Sequence, residues 1–274
     1  MKLAIIGLGL IGSSIARALK DHATIIGINR SRSVIEAALH DGAISQGGGD
    51  LSLAKGCDMA VIALPVGNIV EVAFKLIPFL DKGTILTDTG STKAEIVRSL
   101  TPVWPWFVGS HPIAGKENSG YQSGDAAIFK DAVNIITPIP ITQKPCIKKV
   151  EDLWSLCGAK NFIMDPEEHD GIMAKTSHMP HLISFVFMSL LQDKIPSFLI
   201  AKGFKDFTRI AGADAIMWKD IFIANKHNIL PLIDEYLEEL SRIRTYLNED
   251  RQEKLEEALS EYRQLRRSLY ENKG

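Results

Sequence analysis

Lys2-Leu3-Ala4-Ile5-Ile6-Gly7-Leu8-Gly9-Leu10-Ile11-Gly12-Ser13 stands at the start of the chain, and its reading decides the fold. Residues 2–6 are a short apolar run containing two β-branched side chains, the profile of a buried parallel strand. The run enters G-x-G-x-x-G at Gly7, Gly9 and Gly12, and Ser13 to Leu19 then reads as a helix. Each glycine has its own physical reason. Gly7 permits a tight turn, Gly9 lets the backbone approach a pyrophosphate, and Gly12 lets the helix pack closely on the strand. The helix start at Leu10 and Ile11 would offer unpaired N–H groups and a positive dipole end to the phosphates. Strand, glycine fingerprint and helix in this order predict a dinucleotide-binding domain.

Working outward, Ala23 to Ile28 is the second strand, and its end bears on the cofactor. An Asp or Glu at this place commonly holds the ribose 2′-hydroxyl of NAD. Here Asn29-Arg30-Ser31 follows instead, with no carboxylate to repel a 2′-phosphate and an arginine to stack on adenine or pair with the phosphate. The turn favours NADP, with NAD as the alternative. Further strands are expected at residues 59–64, 84–87, 107–109, 133–137 and 161–164, alternating with helices at 34–40, 70–79, 94–100 and around 150–156. Leu64 and Pro65 sit at a strand's carboxyl end, where they would cover the dinucleotide. Ser91, in the polar loop after the strand at 84–87, is either a hydroxyl facing the crevice or a plain helix N-cap. His111 lies between a strand end and Pro112, in position to face a nicotinamide, although a lone histidine is more often a hydrogen-bonded structural residue.

The alternation ends near residue 164. Asp165-Pro166-Glu167-Glu168 is a helix start, with a capping Asp and Pro in the first turn. Almost everything beyond reads helical. The predicted fold is α/β: a Rossmann-type doubly wound sheet over residues 1–164, then an all-α domain over residues 165–274. His181 to Leu191 is apolar on most faces, which predicts burial all round, with a subunit interface as the place for it. Leu230, Ile233, Leu237, Leu240, Ile243 and Leu247, and again Leu255, Leu259, Tyr262, Leu265 and Leu269, recur at helical spacing among charged residues.

Composition narrows the function classes. The 274 residues are 46% hydrophobic and 23% charged, which suits a soluble globular protein with room for two cores. A net charge of −2 gives no electrostatic case for nucleic acid or an anionic membrane. No apolar run reaches the length of a membrane span. Cys57, Cys146 and Cys157 lack a C-x-x-C pair, so neither a disulfide framework nor a zinc site is expected, and a reduced, cytoplasmic setting fits.

Four stretches together resemble the prephenate/arogenate dehydrogenase family of tyrosine biosynthesis: Gly7 to Ser13; Gly109-Ser110-His111-Pro112-Ile113-Ala114-Gly115; the helix start Pro180-His181-Leu182; and Gly203-Phe204-Lys205-Asp206-Phe207-Thr208-Arg209 with Trp218 beyond. The resemblance implies an N-terminal Rossmann domain joined to a helical dimerisation domain, acting as a homodimer. It implies that His111 is the catalytic base, that Ser91 bonds the reacting hydroxyl and the histidine, and that Arg209 binds the ring carboxylate of prephenate or arogenate. Glu117, His181, Asp206 and Trp218 match positions around the pocket. The implied reaction passes hydride to the nicotinamide while the 4-hydroxyl loses its proton and carbon dioxide departs, and it needs no metal. With no mutase-like segment expected ahead of residue 1 and no regulatory domain after Gly274, any feedback inhibition would have to act at the active site.

Two other functions are compatible with the glycine fingerprint alone. A β-hydroxyacid dehydrogenase would use a lysine of the helical domain, for which Lys175 is the candidate. A non-catalytic NADP-sensing protein would need neither His111 nor Arg209.

Overall fold

Alternate residues of the central strands face opposite ways, and both faces are covered. In the computed structural model, which describes residues 1–116, 118–191 and 195–271, β1 (Lys2–Ile6), β2 (Thr24–Ile28), β4 (Met59–Ile62) and β5 (Ile85–Asp88) lie in one parallel array, with the short β3 (Gln46–Gly48) beyond β2. Leu3, Ile5, Ile25, Met59, Val61 and Ile85 enter one apolar core, together with Ile15 and Leu19 of α1 (Leu10–Leu19), Ile35 and Ala38 of α2 (Arg32–His40), and, further along, Val150 and Trp154 of α5 (Lys144–Leu156). Ala4, Ile6, Ile26, Ile28, Ala60, Ile62 and Leu86 enter the other, against Ile69, Ala73 and Leu76 of α3 (Val66–Leu76) and Ile96, Val97 and Leu100 of α4 (Ala94–Leu100). This two-sided burial is why these strands read as continuous apolar runs.

Among the described residues the sheet has eight strands in the order β3-β2-β1-β4-β5-β6-β7-β8, completed by β6 (Phe107–Pro112), β7 (Val133–Thr137) and β8 (Lys160–Ile163). Its first six follow the doubly wound order in which dinucleotides bind at the strand carboxyl ends, where the order reverses between β1 and β4. β7 pairs antiparallel with β6, and β8 runs parallel to β7, so the last two strands oppose the rest. β6 extends through His111 to Pro112, which places the histidine inside a strand rather than after one.

Asp165 caps α6 (Pro166–Met173) as expected, accepting from Glu167 N at 2.8 Å and Glu168 N at 3.2 Å. A π-type turn (Ala174–His178) leads into α7 (Met179–Met188), followed by α8 (Lys202–Thr208) and α9 (Ala215–Ala224). Chain packing divides the molecule at Lys226/His227, later than the end of the β-α alternation, because Trp218 and Ile221 of α9 belong to the second sheet core. Within a single chain α7 is covered on one side only. Met179 and Ser184 are buried, whereas Val186, Met188 and the following Leu190 are exposed, because this chain covers only one side of the helix.

The C-terminal unit consists of α10 (Lys226–Asn248) and α11 (Gln252–Glu271), joined by a turn in which Asp250 takes φ 52°. Tyr262 Oη donates to Glu239 Oε2 at 2.6 Å and accepts from Arg242 at 2.9 Å, which ties the two helices. Leu237, Leu240, Leu247, Leu259, Leu265 and Leu269 are exposed along them. Among the described residues no helix is long and apolar enough to cross a membrane.

The glycines of the fingerprint differ in what they tolerate. Gly7 has φ +96°, and a Cβ on it would lie 2.4 Å from Ala63 O. On Gly12 a Cβ would lie 1.8 Å from Gly7 O, backbone that cannot yield, whereas on Gly9 it would meet nothing within 4 Å. Gly12→Ala is therefore expected to cost about 3 kcal/mol or more, roughly 6–12 °C in Tm. Gly9→Ala should melt within about 4 °C of the parent. Equal losses in thermal unfolding scans would contradict this difference between the two glycines.

Candidate active site

The glycine loop is held from below. Gly7 N donates to Ile28 O at 2.8 Å, and Leu8 N donates to Asn29 Oδ1 at 3.2 Å. Gly9 is the N-cap of α1, and no side chain caps that end, so the first-turn N–H groups of Leu10, Ile11 and Gly12 have no intrahelical partner. With open space in front of Gly9, this cradle fits a pyrophosphate. Leu64 packs against Gly7, and Pro65 is the N-cap of α3, both beside the same loop. Arg30 and Ser31 are exposed at the end of β2. Ser31 Oγ is 2.9 Å from Ser33 Oγ, and Arg32 is paired with Glu36 at 2.8 Å.

At the carboxyl ends of β5 and β6 the structure assembles a polar cluster that the sequence pattern only partly discloses. Asp88 and Lys93 form an ion pair with both side chains fully buried. Lys93 Nζ also donates to Ser110 O at 2.8 Å, and Asp88 accepts from Gly90 N at 2.8 Å and Ser110 N at 3.2 Å. The loop carrying Ser91 is thus closed on itself and fastened to the residue before His111. Ser91 is half-buried and makes no hydrogen bond among the described residues. Nor is it the N-cap of α4: Asp170 serves there, accepting from Lys93 N at 2.7 Å and Ala94 N at 3.0 Å.

Asp170 also accepts from its neighbour. His169 Nδ1 lies 2.8 Å from Asp170 Oδ1, and His169 Nε2 lies 2.9 Å from His111 Nδ1. His169 is fully buried and His111 is partly exposed. Burial, then the neighbouring His169, Lys93 and His178, hold the His111 imidazole well below the usual histidine pKa. Sequence reasoning singles out neither His169 nor Asp170. The available signal is a His-Asp pair just inside a capped helix, but its partners lie far away along the chain.

The cluster continues through Asn225, whose Nδ2 donates to Asp170 O at 2.8 Å and to His178 Nδ1 at 2.9 Å. Burial pushes His178 down to about 4. The π-type turn presents His178 and, beyond it, His181, whose Nδ1 donates to Ser177 O at 2.8 Å. The His181 ring stacks on Trp218 at 3.7 Å between centroids and 20° between planes. Burial lowers the His181 pKa, and the nearby Arg209 lowers it further, which brings Arg209 into the same neighbourhood. Trp218 is buried, with its Nε1 unpartnered among the described residues. Asp206 is exposed on α8, and among the described residues no hydrogen bond or ion pair links it to these groups. Glu117 lies outside the described residues. Lys175 is exposed on the π-type turn. No group of His, Cys, Asp and Glu suited to a metal ion occurs among the described residues.

Removing one member of the buried ion pair leaves an uncompensated charge. Lys93→Met is expected to cost about 3–5 kcal/mol, and the double variant Asp88→Asn/Lys93→Met less than the single one. Denaturant unfolding of both variants checks this. A double variant less stable than Lys93→Met would contradict it.

Comparison with known proteins gives a consistent family. The model described as prephenate dehydrogenase, nucleotide-binding domain, matches residues 15–163, and that described as prephenate dehydrogenase, dimerization domain, matches residues 165–261. Cyclohexadienyl dehydrogenase of Zymomonas mobilis is 34% identical over 258 residues, covering 89% of this chain and 87% of that protein. Prephenate dehydrogenase from A. aeolicus, solved with hydroxyphenyl propionate and NAD+, superposes with a TM-score of 0.90 at 32% identity, covering 98% of both chains. Synechocystis arogenate dehydrogenase gives 0.83 at 25% identity over 98% of this chain and 100% of that one. On both matched domains and on these relatives, the chain belongs to the prephenate/arogenate dehydrogenase family.

Proposed function

We propose that the protein oxidises and decarboxylates prephenate or arogenate with NADP, yielding 4-hydroxyphenylpyruvate or tyrosine, carbon dioxide and NADPH. The observation that carries this reading is His111, at the carboxyl end of β6, bonded through Nδ1 and kept neutral by its surroundings. A neutral imidazole is the form that accepts a proton, so it suits the base that takes the 4-hydroxyl proton. A bound dinucleotide would supply the hydride acceptor for C4. Arg209 pairs with the ring carboxylate through its planar fork until carbon dioxide leaves and the ring becomes aromatic. Ser91, on its fastened loop, orients the hydroxyl, while His181 and Trp218 form a wall of the pocket, with Asp206 at its rim. Gly7, Gly9 and Gly12, with the helix start at Leu10 and Ile11, hold the pyrophosphate.

The preference for NADP is supported at the end of β2. Asn29 Oδ1 is engaged by Leu8 N, which leaves the carboxamide N–H groups as donors, and Arg30 is exposed beside them. Both suit a 2′-phosphate. A second reading, NAD, is favoured by the NAD+ in the A. aeolicus relative. The helical segment from residue 165 serves as the substrate and dimerisation domain, and exposed Val186 and Leu190 support a homodimer through it. Three buried free cysteines suit a reducing cytoplasm.

Initial rates of nicotinamide reduction, crossing prephenate and arogenate with NADP and NAD, test the proposal. Turnover is expected with NADP, and Arg30→Ala should raise its KM about tenfold while leaving that for NAD nearly unchanged. On the acid side, kcat/KM should stay flat down to about pH 6.5, the ordinary histidine pKa, and fall only below it, because the base is neutral above its lowered pKa. No reduction in any combination, with the dinucleotide still bound, would overturn the reaction. A preference for NAD would overturn the cofactor assignment.

A further inference from the structure

A histidine can be a base through either ring nitrogen, and which one is free depends on the proton the other carries. The order of donors is legible here from hydrogen-bond logic. Asp170 Oδ1 accepts Lys93 N–H at 2.7 Å, and Oδ2 accepts Ala94 N–H at 3.0 Å, so the carboxylate acts throughout as an acceptor at the N-terminus of α4. His169 Nδ1, at 2.8 Å from Oδ1, must then carry a proton. Singly protonated at Nδ1, His169 would present a lone pair at Nε2, 2.9 Å from His111 Nδ1. The remaining proton belongs on His111 Nδ1, which leaves the lone pair at Nε2. Free imidazoles of histidine favour the opposite tautomer, in which that nitrogen is blocked.

We infer that His169, held by Asp170, is a positioning residue that fixes His111 as the Nδ1–H tautomer and so reserves His111 Nε2 for the substrate proton. The inference rests on the reading of His111 as the base, and deepens it. His169 takes no proton from the substrate. When His111 accepts the 4-hydroxyl proton at Nε2, it keeps its Nδ1 proton and donates that hydrogen bond to His169 as an imidazolium. Full burial of His169 and the further anchoring of Asp170 O by Asn225 keep this pair from turning.

The first experiment uses the resting enzyme. Long-range proton–nitrogen correlation spectra of ¹⁵N-histidine-labelled protein near neutral pH should show His111 protonated at Nδ1 alone. Finding its proton at Nε2, with His169 protonated on both nitrogens, would overturn the inference without any variant. In turnover, His169→Phe keeps a ring of similar bulk but offers no acceptor. It is expected to lower kcat about 100-fold, leave both KM values within about twofold, and shift His111 toward the Nε2–H form. His169→Gln restores an acceptor oxygen near the Nε2 position, and should recover most of the rate and the parent tautomer. Equal losses in the two variants, with the His111 tautomer unchanged, would reduce His169 to a structural role. Because the spectrum does not depend on catalysis, failure here is distinguishable from failure of His111 as the base, which shows in turnover of His111 variants.

Discussion

One carboxylate connects the layers of the site. Asp170 closes the N-terminus of α4 through two backbone N–H groups, accepts His169 Nδ1, and through its own carbonyl receives Asn225. Its anchors sit on the loop after β5, on α6 and at the end of α9. A helix N-terminus favours negative charge, so the capping energy of α4 is coupled to the placement of two histidines. Loss of this carboxylate would free a helix start and an imidazole together.

A second buried device works beside it. The Asp88–Lys93 pair fixes the loop that bears Ser91 and grips Ser110, one residue before His111. Trp154 Nε1 and Thr87 Oγ1 also meet Ser110 Oγ, at 3.0 and 3.1 Å. A buried ion pair is a weak source of net stability, since desolvation offsets much of its attraction. What it does supply is a defined position: few arrangements satisfy both charges and every donor around them. The backbone under His111 is therefore held by polar groups, while its side chain is held by His169.

The features legible in the sequence are those whose cause is local. Gly7, Gly9 and Gly12, the apolar strands and the Asp165 cap depend on neighbours a few residues away. β3 is not among them, because Gln46-Gly47-Gly48 has no apolar pattern and is held by backbone pairing to β2. The reversal of β7 and β8 is a matter of long-range pairing. Lys93 and Asp88 read as an ordinary polar loop, because charges are rarely buried without a partner and spacing alone does not reveal the partner. His169 is hidden for the same reason. The apolar run from His181 shows that a helix seeks cover, but hydrophobic composition does not say which chain supplies it.

The proposed catalytic site joins the dinucleotide domain to the histidine cluster, with His111 as its base. The most direct test is His111→Asn, with dinucleotide affinity and turnover measured on the same preparation. Turnover is expected to fall by about 10²–10⁴-fold with the dinucleotide bound as tightly as before. Undiminished turnover with the variant folded and loaded would contradict that role for His111.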